Sequence, residues 1–183
     1  SGKIGINYTL TNRSGNWGLT NASMPDNRYV AKFMINDSLG NMNNTEQVTF
    51  TVDTTRPTVN NQSVNVSTAA SGSQILLSVN VSDTNRRDDR VNVTAGSANV
   101  SMTLQAGNLF QVSTTPATLG CSSDGTCTIT FSAADAAGNT NNSVTATITV
   151  DGAAPRVTIT SPSSGNSSTA TQNFNASVLE QNP

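Results

Sequence analysis

The chain has 183 residues, of which 11% are charged, 34% hydrophobic and 4% aromatic, and its formal net charge is −2. Two Glu and two Lys stand against 50 Ser and Thr and 24 Asn, a composition poor in strong helix formers that argues against a helical bundle. The lack of histidine excludes Ser-His-Asp and Cys-His catalysis and imidazole-based zinc sites, and nine basic residues against eleven acidic ones leave no surplus for nucleic acid or anionic membranes.

Along the chain, short segments alternate apolar and polar residues, with turn residues between them. Ile4, Ile6, Tyr8 and Leu10 share one parity, as do Tyr29, Ala31, Phe33 and Ile35. Ile75, Leu77, Val79 and Val81 repeat the pattern, followed by Val144, Ala146, Ile148 and Val150, with further strands expected near 156–160 and 174–179. Period-two patterning rich in Val, Ile and Thr predicts half-buried strands of antiparallel sheets. No segment shows a helical apolar stripe, and no apolar run is long enough to span a bilayer. The fold class is all-β.

Several features lie between these strands. Trp17 follows Ser14-Gly15-Asn16, a loop context, and is expected to pack at the end of a core rather than to serve as a carbohydrate platform. Lys32 shares the parity of Val30 and Met34 and is expected to point outward, away from any covalent Lys–Asn crosslink. The cluster Asp83-Thr-Asn-Arg86-Arg87-Asp88-Asp89-Arg90 reads as a solvated loop, with an intermolecular ion-pair patch or a calcium site as the functional alternatives. Cys121 and Cys127 flank Ser-Ser-Asp-Gly-Thr, a spacing that suits a disulfide across a turn and so an oxidising compartment; free thiols or a weak metal site are the alternatives.

The strongest signal is an internal repeat. Asp37-Ser-Leu-Gly40-Asn41 leads through Phe50 and Val52 to Asp53-Thr-Thr-Arg-Pro57, and Asp135-Ala-Ala-Gly138-Asn139 leads through Ile148 and Val150 to Asp151-Gly-Ala-Ala-Pro155. Both pairs of aspartates lie 98 residues apart. Gly40 and Gly138 supply the positive φ that a tight turn needs, and Asp37 and Asp135 are expected to cap the amides of their own turns. One such aspartate per repeat is a structural signature rather than an acid pair for hydrolysis. With no nucleophile or phosphate-loop motif present, no catalytic residue is assigned and the chain is read as no enzyme.

These D-x-x-G-N turns and D-x-x-x-P-x-V passages resemble the bacterial Ig-like repeats carried in tandem by prokaryotic, including archaeal, surface proteins. The resemblance implies seven-strand-type β-sandwiches, about two per 183 residues, used as spacer, adhesin or sheath modules outside the cell. Residues 53–150 make one complete unit. Residues 1–52 read as the C-terminal half of a unit and 151–183 as the N-terminal half of the next, so that one sandwich is split between the chain ends. The expected partners are therefore copies of the chain, joined head to tail in a covalent array or by strand complementation, in a segment cut from something longer. The joints are Asp53, Pro57, Asp151 and Pro155. Asp53 and Asp151 are weak calcium candidates, since each joint offers one carboxylate where Ca²⁺ takes six to eight oxygens; no other cofactor is expected. The alternatives are an adhesin that binds glycan or protein through Trp17 and the 86–90 loop, or a spacer module of a secreted enzyme.

Asn-x-Ser/Thr sequons occur at Asn7, Asn12, Asn21, Asn36, Asn43, Asn61, Asn65, Asn80, Asn92, Asn99, Asn141, Asn166 and Asn175, about twice the number that shuffling this composition would give. Strand geometry produces some of them, because residues i and i+2 share a face and a polar outer row writes sequons automatically. The same geometry aims the Asn at water, where an N-linked glycan must go.

Overall fold

Alternating Val, Ile and Thr can bury one face only by stacking sheets, and the chain does so once in full. The computed structural model describes residues 6–21, 23–165, 168 and 170–179. Two compact units divide the chain, Ser1–Thr55 and Arg56–Pro183.

Among its described residues the first unit holds six short strands. β1 (Thr11–Arg13) and β2 (Asn16–Gly18) form a hairpin about Ser14 and Gly15, both at positive φ. β3 (Asn27–Lys32) pairs antiparallel with β6 (Gln47–Val52), from Asn27 opposite Val52 to Lys32 opposite Gln47. β4 (Ile35–Asn36) and β5 (Met42–Asn43) continue that hairpin to its turn.

The second unit contains β7 (Thr58–Val64), β8 (Thr68–Ala69), β9 (Ile75–Ser82), β10 (Arg86–Ala95), β11 (Ala98–Ser101), β12 (Thr103–Ala106), β13 (Leu109–Thr114), β14 (Gly125–Asp135) and β15 (Thr140–Val150). A five-stranded sheet runs β11-β10-β14-β15-β8 and a four-stranded sheet runs β12-β13-β9-β7. The nine segments are seven passes of the chain. β7 continues into β8, and β11 into β12 at the buried Met102, and each of these passes crosses from one sheet to the other. This is the all-β, seven-pass sandwich expected from the sequence. β16 (Arg156–Ser161) and β17 (Asn175–Leu179) form a further antiparallel hairpin.

One core fills the sandwich. Ile75, Leu77, Val79 and Val81 of β9 and Phe110 of β13 meet Val91 and Val93 of β10, Ile129, Phe131 and Ala133 of β14, and Ile148 and Val150 of β15. These are the inward positions of the alternating pattern, and burying a side chain of this size contributes about 1.5–3 kcal/mol. Cys121 and Cys127 are disulfide-bonded, tying the 115–124 loop to β14 at the buried Cys127.

Three local expectations are corrected. Residues 6–10 form no strand, and Ile4 lies outside the described residues. Their alternation lacks a neighbour to pair with, and an isolated extended segment has no ladder to hold it. The 83–90 cluster is mostly strand, not loop: β10 begins at Arg86, and only 83–85 connect it to β9. Strand formation there rests on pairing of Arg86 with Asp135 and on a bulge before Val91, not on β-propensity. Trp17 lies on β2 and is 60% exposed, so it packs in no core. Lys32 is exposed on β3, as expected.

Candidate functional site

The feature that recurs in both units is the joint itself. Its first part is the turn. Asp37 Oδ1 accepts the Leu39 and Asn41 amides at 2.9 Å, and Oδ2 accepts Asn41 Nδ2 at 2.7 Å. In the second unit Asp135 Oδ1 accepts the Gly138 and Asn139 amides at 2.7 and 2.9 Å, and Oδ2 accepts Asn139 Nδ2 at 2.8 Å. Gly40 and Gly138 sit at φ 88° and 96°, where a Cβ would be strained. The turn aspartates therefore cap their own amides, as their spacing suggested.

Environment separates the two. The Asn41 side chain, followed by its backbone amide, holds the exposed Asp37 carboxyl below its ordinary value. Burial pushes the Asp135 carboxyl upward, but hydrogen bonds from Asn139, Gly138 and Ala137 outweigh it and keep the group below its ordinary value. A buried carboxylate that collects several amide donors is held ionised.

The second part is the opening passage. Thr55 N donates to Asp53 Oδ1 at 3.0 Å and Ala153 N to Asp151 Oδ1 at 3.2 Å, so both joint aspartates cap the residue two places on. A pair that the sequence reading missed reinforces them. Asp26 accepts Thr54 N at 3.0 Å and Thr55 Oγ1 at 2.7 Å, and Asp124 accepts Gly152 N at 2.8 Å. The Thr55 hydroxyl, more than any other donor, lowers the Asp26 carboxyl. Asp26 and Asp124 are also 98 residues apart, a signal that was present but unmarked by any Gly or Pro. Pro57 is buried, and its carbonyl accepts Asn141 Nδ2 at 2.9 Å, which fastens the start of β7 to β15. Pro155 is exposed.

Asp83, half-buried after β9, brings a carboxylate oxygen within 4.8 Å of Asp135. Four other charges of the cluster pair within the chain. Arg86 Nε meets Asp88 at 2.6 Å, its Nη1 donates to the Val81 carbonyl and to Asn108 Oδ1, and its guanidinium lies over Phe110, 5.2 Å from the ring centre. Arg87 and Asp89 form a bidentate pair that raises the arginine and lowers the aspartate. The intermolecular-patch reading thus loses Arg86 to its own fold.

The sequons divide by position. Asn7, Asn12, Asn21, Asn36, Asn43, Asn61, Asn65, Asn99 and Asn175 are exposed, Asn80, Asn92 and Asn141 are half-buried, and Asn166 lies outside the described residues. Asn80 and Asn92 sit on central strands, flanked on both sides, whereas Asn141 spends its amide on Pro57. Asn43 and Asn141 each accept from the backbone and hydroxyl of their own sequon residue, Thr45 or Ser143.

The family model described as a bacterial Ig-like domain matches twice, over residues 2–54 and over 56–152. No curated protein matches the chain. Domains of this kind are commonly found on extracellular or surface proteins and are typically non-catalytic, and no helix among the described residues is long and apolar enough to cross a membrane.

Proposed function

This chain belongs to the bacterial Ig-like domain family, and on that footing we propose that it is a structural segment of a filament, stalk or sheath at the cell surface, working as one stretch of a head-to-tail series. The observation that carries this reading is the repetition of one joint. The same turn, the same Asp-capped passage and the same hairpin register recur at a 98-residue interval. A catalytic site has no reason to recur with its structural hydrogen bonds and without reactive groups, whereas a load-bearing series has. Mechanically, strands locked into sheets resist extension, and short capped passages containing proline limit bending between units. The disulfide suits an oxidising exterior, and the low-charge Ser/Thr/Asn surface stays hydrated over a range of salt, with N-linked glycans on the exposed sequons adding to it.

Protease shaving of intact cells, followed by electron microscopy of the released material, tests the proposal. Fibres with a regular repeat of domains are expected. A protein that is protected in intact cells and released only by lysis overturns the reading. Exposed Trp17 favours the adhesin alternative; a glycan-array signal lost in Trp17→Ala would support it over a scaffold.

A further inference from the structure

Three sets of apolar residues lie uncovered. Trp17 and Leu19 are exposed around β2, Phe33 and Ile35 on the continuation of β3, and Val157, Phe174 and Val178 around β16 and β17. The sandwich of 56–150 shows what covers each set, because it contains the same elements with their partners in place.

Register makes the correspondence. β16 and β17 place Val157 opposite Val178, as β7 and β9 place Val59 opposite Val81. Two and four residues back along the strand, Ala176 and Phe174 hold the places of Val79 and Leu77. Val59, Leu77, Val79 and Val81 are all buried, whereas Phe174 is 80% exposed. On the other side, Trp17 is the second residue after a two-residue hairpin turn, as Phe110 is in the β12–β13 hairpin. In the sandwich β13 pairs with β9, Phe110 opposite Val79.

We propose that β16 and β17 of one copy dock on the first unit of a second copy, with β17 antiparallel beside β2 and Val157, Phe174 and Val178 covering Trp17, Phe33 and Ile35. The register follows from the sandwich. Ala176 lies opposite Trp17, a small residue facing a large one where Val79 faces Phe110, so the combined volume is nearly kept. Asn43 of the second copy then reaches the Pro155 carbonyl of the docking copy, as Asn141 reaches that of Pro57. The occupant is a second copy because residues 156–179 hold both the register and the apolar row that the sandwich uses for this purpose. This inference deepens the head-to-tail reading and rests on it.

Leu109 lies opposite Asn80, so the register puts Asn16 opposite Ser177. The 183-residue chains carrying Asn16→Cys and Ser177→Cys are mixed under mild oxidation, with Asn16→Cys plus Asn99→Cys, an exposed position of β11, as the control. Neither cysteine alone can close the link within one chain. A mixed disulfide of twice the 18.9 kDa chain mass should form at least tenfold faster than in the control, and Phe174→Asp with Val178→Asp should remove that advantage while leaving the melting of the 56–150 sandwich unchanged. Equal rates, or a double Asn16→Cys/Ser177→Cys chain that closes on itself as a monomer, overturn the proposal. The shaving experiment reads the other level separately. A surface protein with equal crosslinking rates loses only this pairing, and a strong crosslink in a protein protected in intact cells loses only the surface reading.

Discussion

The hairpin of β14 and β15 and the hairpin built from β3 to β6 are the same object in two settings. Asn27 faces Val52 as Gly125 faces Val150, and Ile35 faces Asn43 as Ala133 faces Asn141, each pair displaced by 98 residues. In the second unit β14 and β15 run nearly unbroken, flanked by β10 and β8 and backed by the four-stranded sheet. In the first unit the hairpin breaks between β3 and β4, and Phe33 is 47% exposed where Phe131 is fully buried. Turn chemistry and hairpin register are therefore local properties, whereas strand continuity and burial come from neighbours. A hairpin without a covering sheet is only marginally held in water.

The sharpest way to break the comparison is to truncate the shared aromatic. Phe131→Ala should cost about 3–5 kcal/mol in urea unfolding of the second unit, because it empties a packed core. Phe33→Ala should cost about 0.5 kcal/mol or less, since its surface already meets water. A large loss from Phe33→Ala in dilute protein would show that its face is covered after all.

The turn aspartates give the next largest contrast. Asp135→Ala leaves the Gly138 and Asn139 amides and the Asn139 side chain without their acceptor in a buried turn, at a cost of about 2–3 kcal/mol. Asp37→Ala removes the corresponding bonds where water can replace them, and a much smaller loss is expected. Thermal melts of the two variants, read by near-ultraviolet circular dichroism, check the ratio.

The loop before each hairpin is tethered differently. Tyr29, in the place of Cys127, donates its hydroxyl to the Pro25 carbonyl at 2.7 Å, whereas Cys127 is bonded to Cys121. The disulfide closes a loop of only a few residues, so replacing both cysteines by Ser should lower stability by about 2 kcal/mol through the unfolded chain. Tyr29→Phe, which removes one exposed hydrogen bond, should lower it by less than about 1 kcal/mol. Denaturant midpoints of the two variants decide between them.

The same division separates what the sequence disclosed from what it hid. Gly40 and Gly138 mark their turns because only glycine sits easily at that φ, and the inward rows of β9 and β15 mark the core because burial writes a period of two. The cystine followed from spacing. Asp26 and Asp124 escaped notice because aspartate is at home in any loop, and their bonds reach 28 residues along the chain. Residues 86–90 read as a loop because charge hides a strand that pairing imposes. Trp17 misled for the opposite reason: an aromatic implies a core only where another layer exists to provide one.

The smallest effect tests whether the Asp135 turn behaves as a buried carboxylate. Its pKa is lowered in the folded chain, so between the folded value and the unfolded value, about 3.9, the unfolded chain binds more protons. Its contribution is therefore complete above the unfolded value and is lost as pH falls through the folded one. The urea midpoint of the second unit should fall between pH 6 and pH 3, and Asp135→Asn should flatten part of that slope, because an amide neither titrates nor loses its acceptor oxygen in acid. Asp37 and Asp26 are lowered in the same direction but stand in solvent, so Asp37→Asn should leave the slope of the second unit unchanged. Equal flattening by the two substitutions would mean that burial adds nothing to the turn, and the contrast between the two hairpins would then reduce to packing alone.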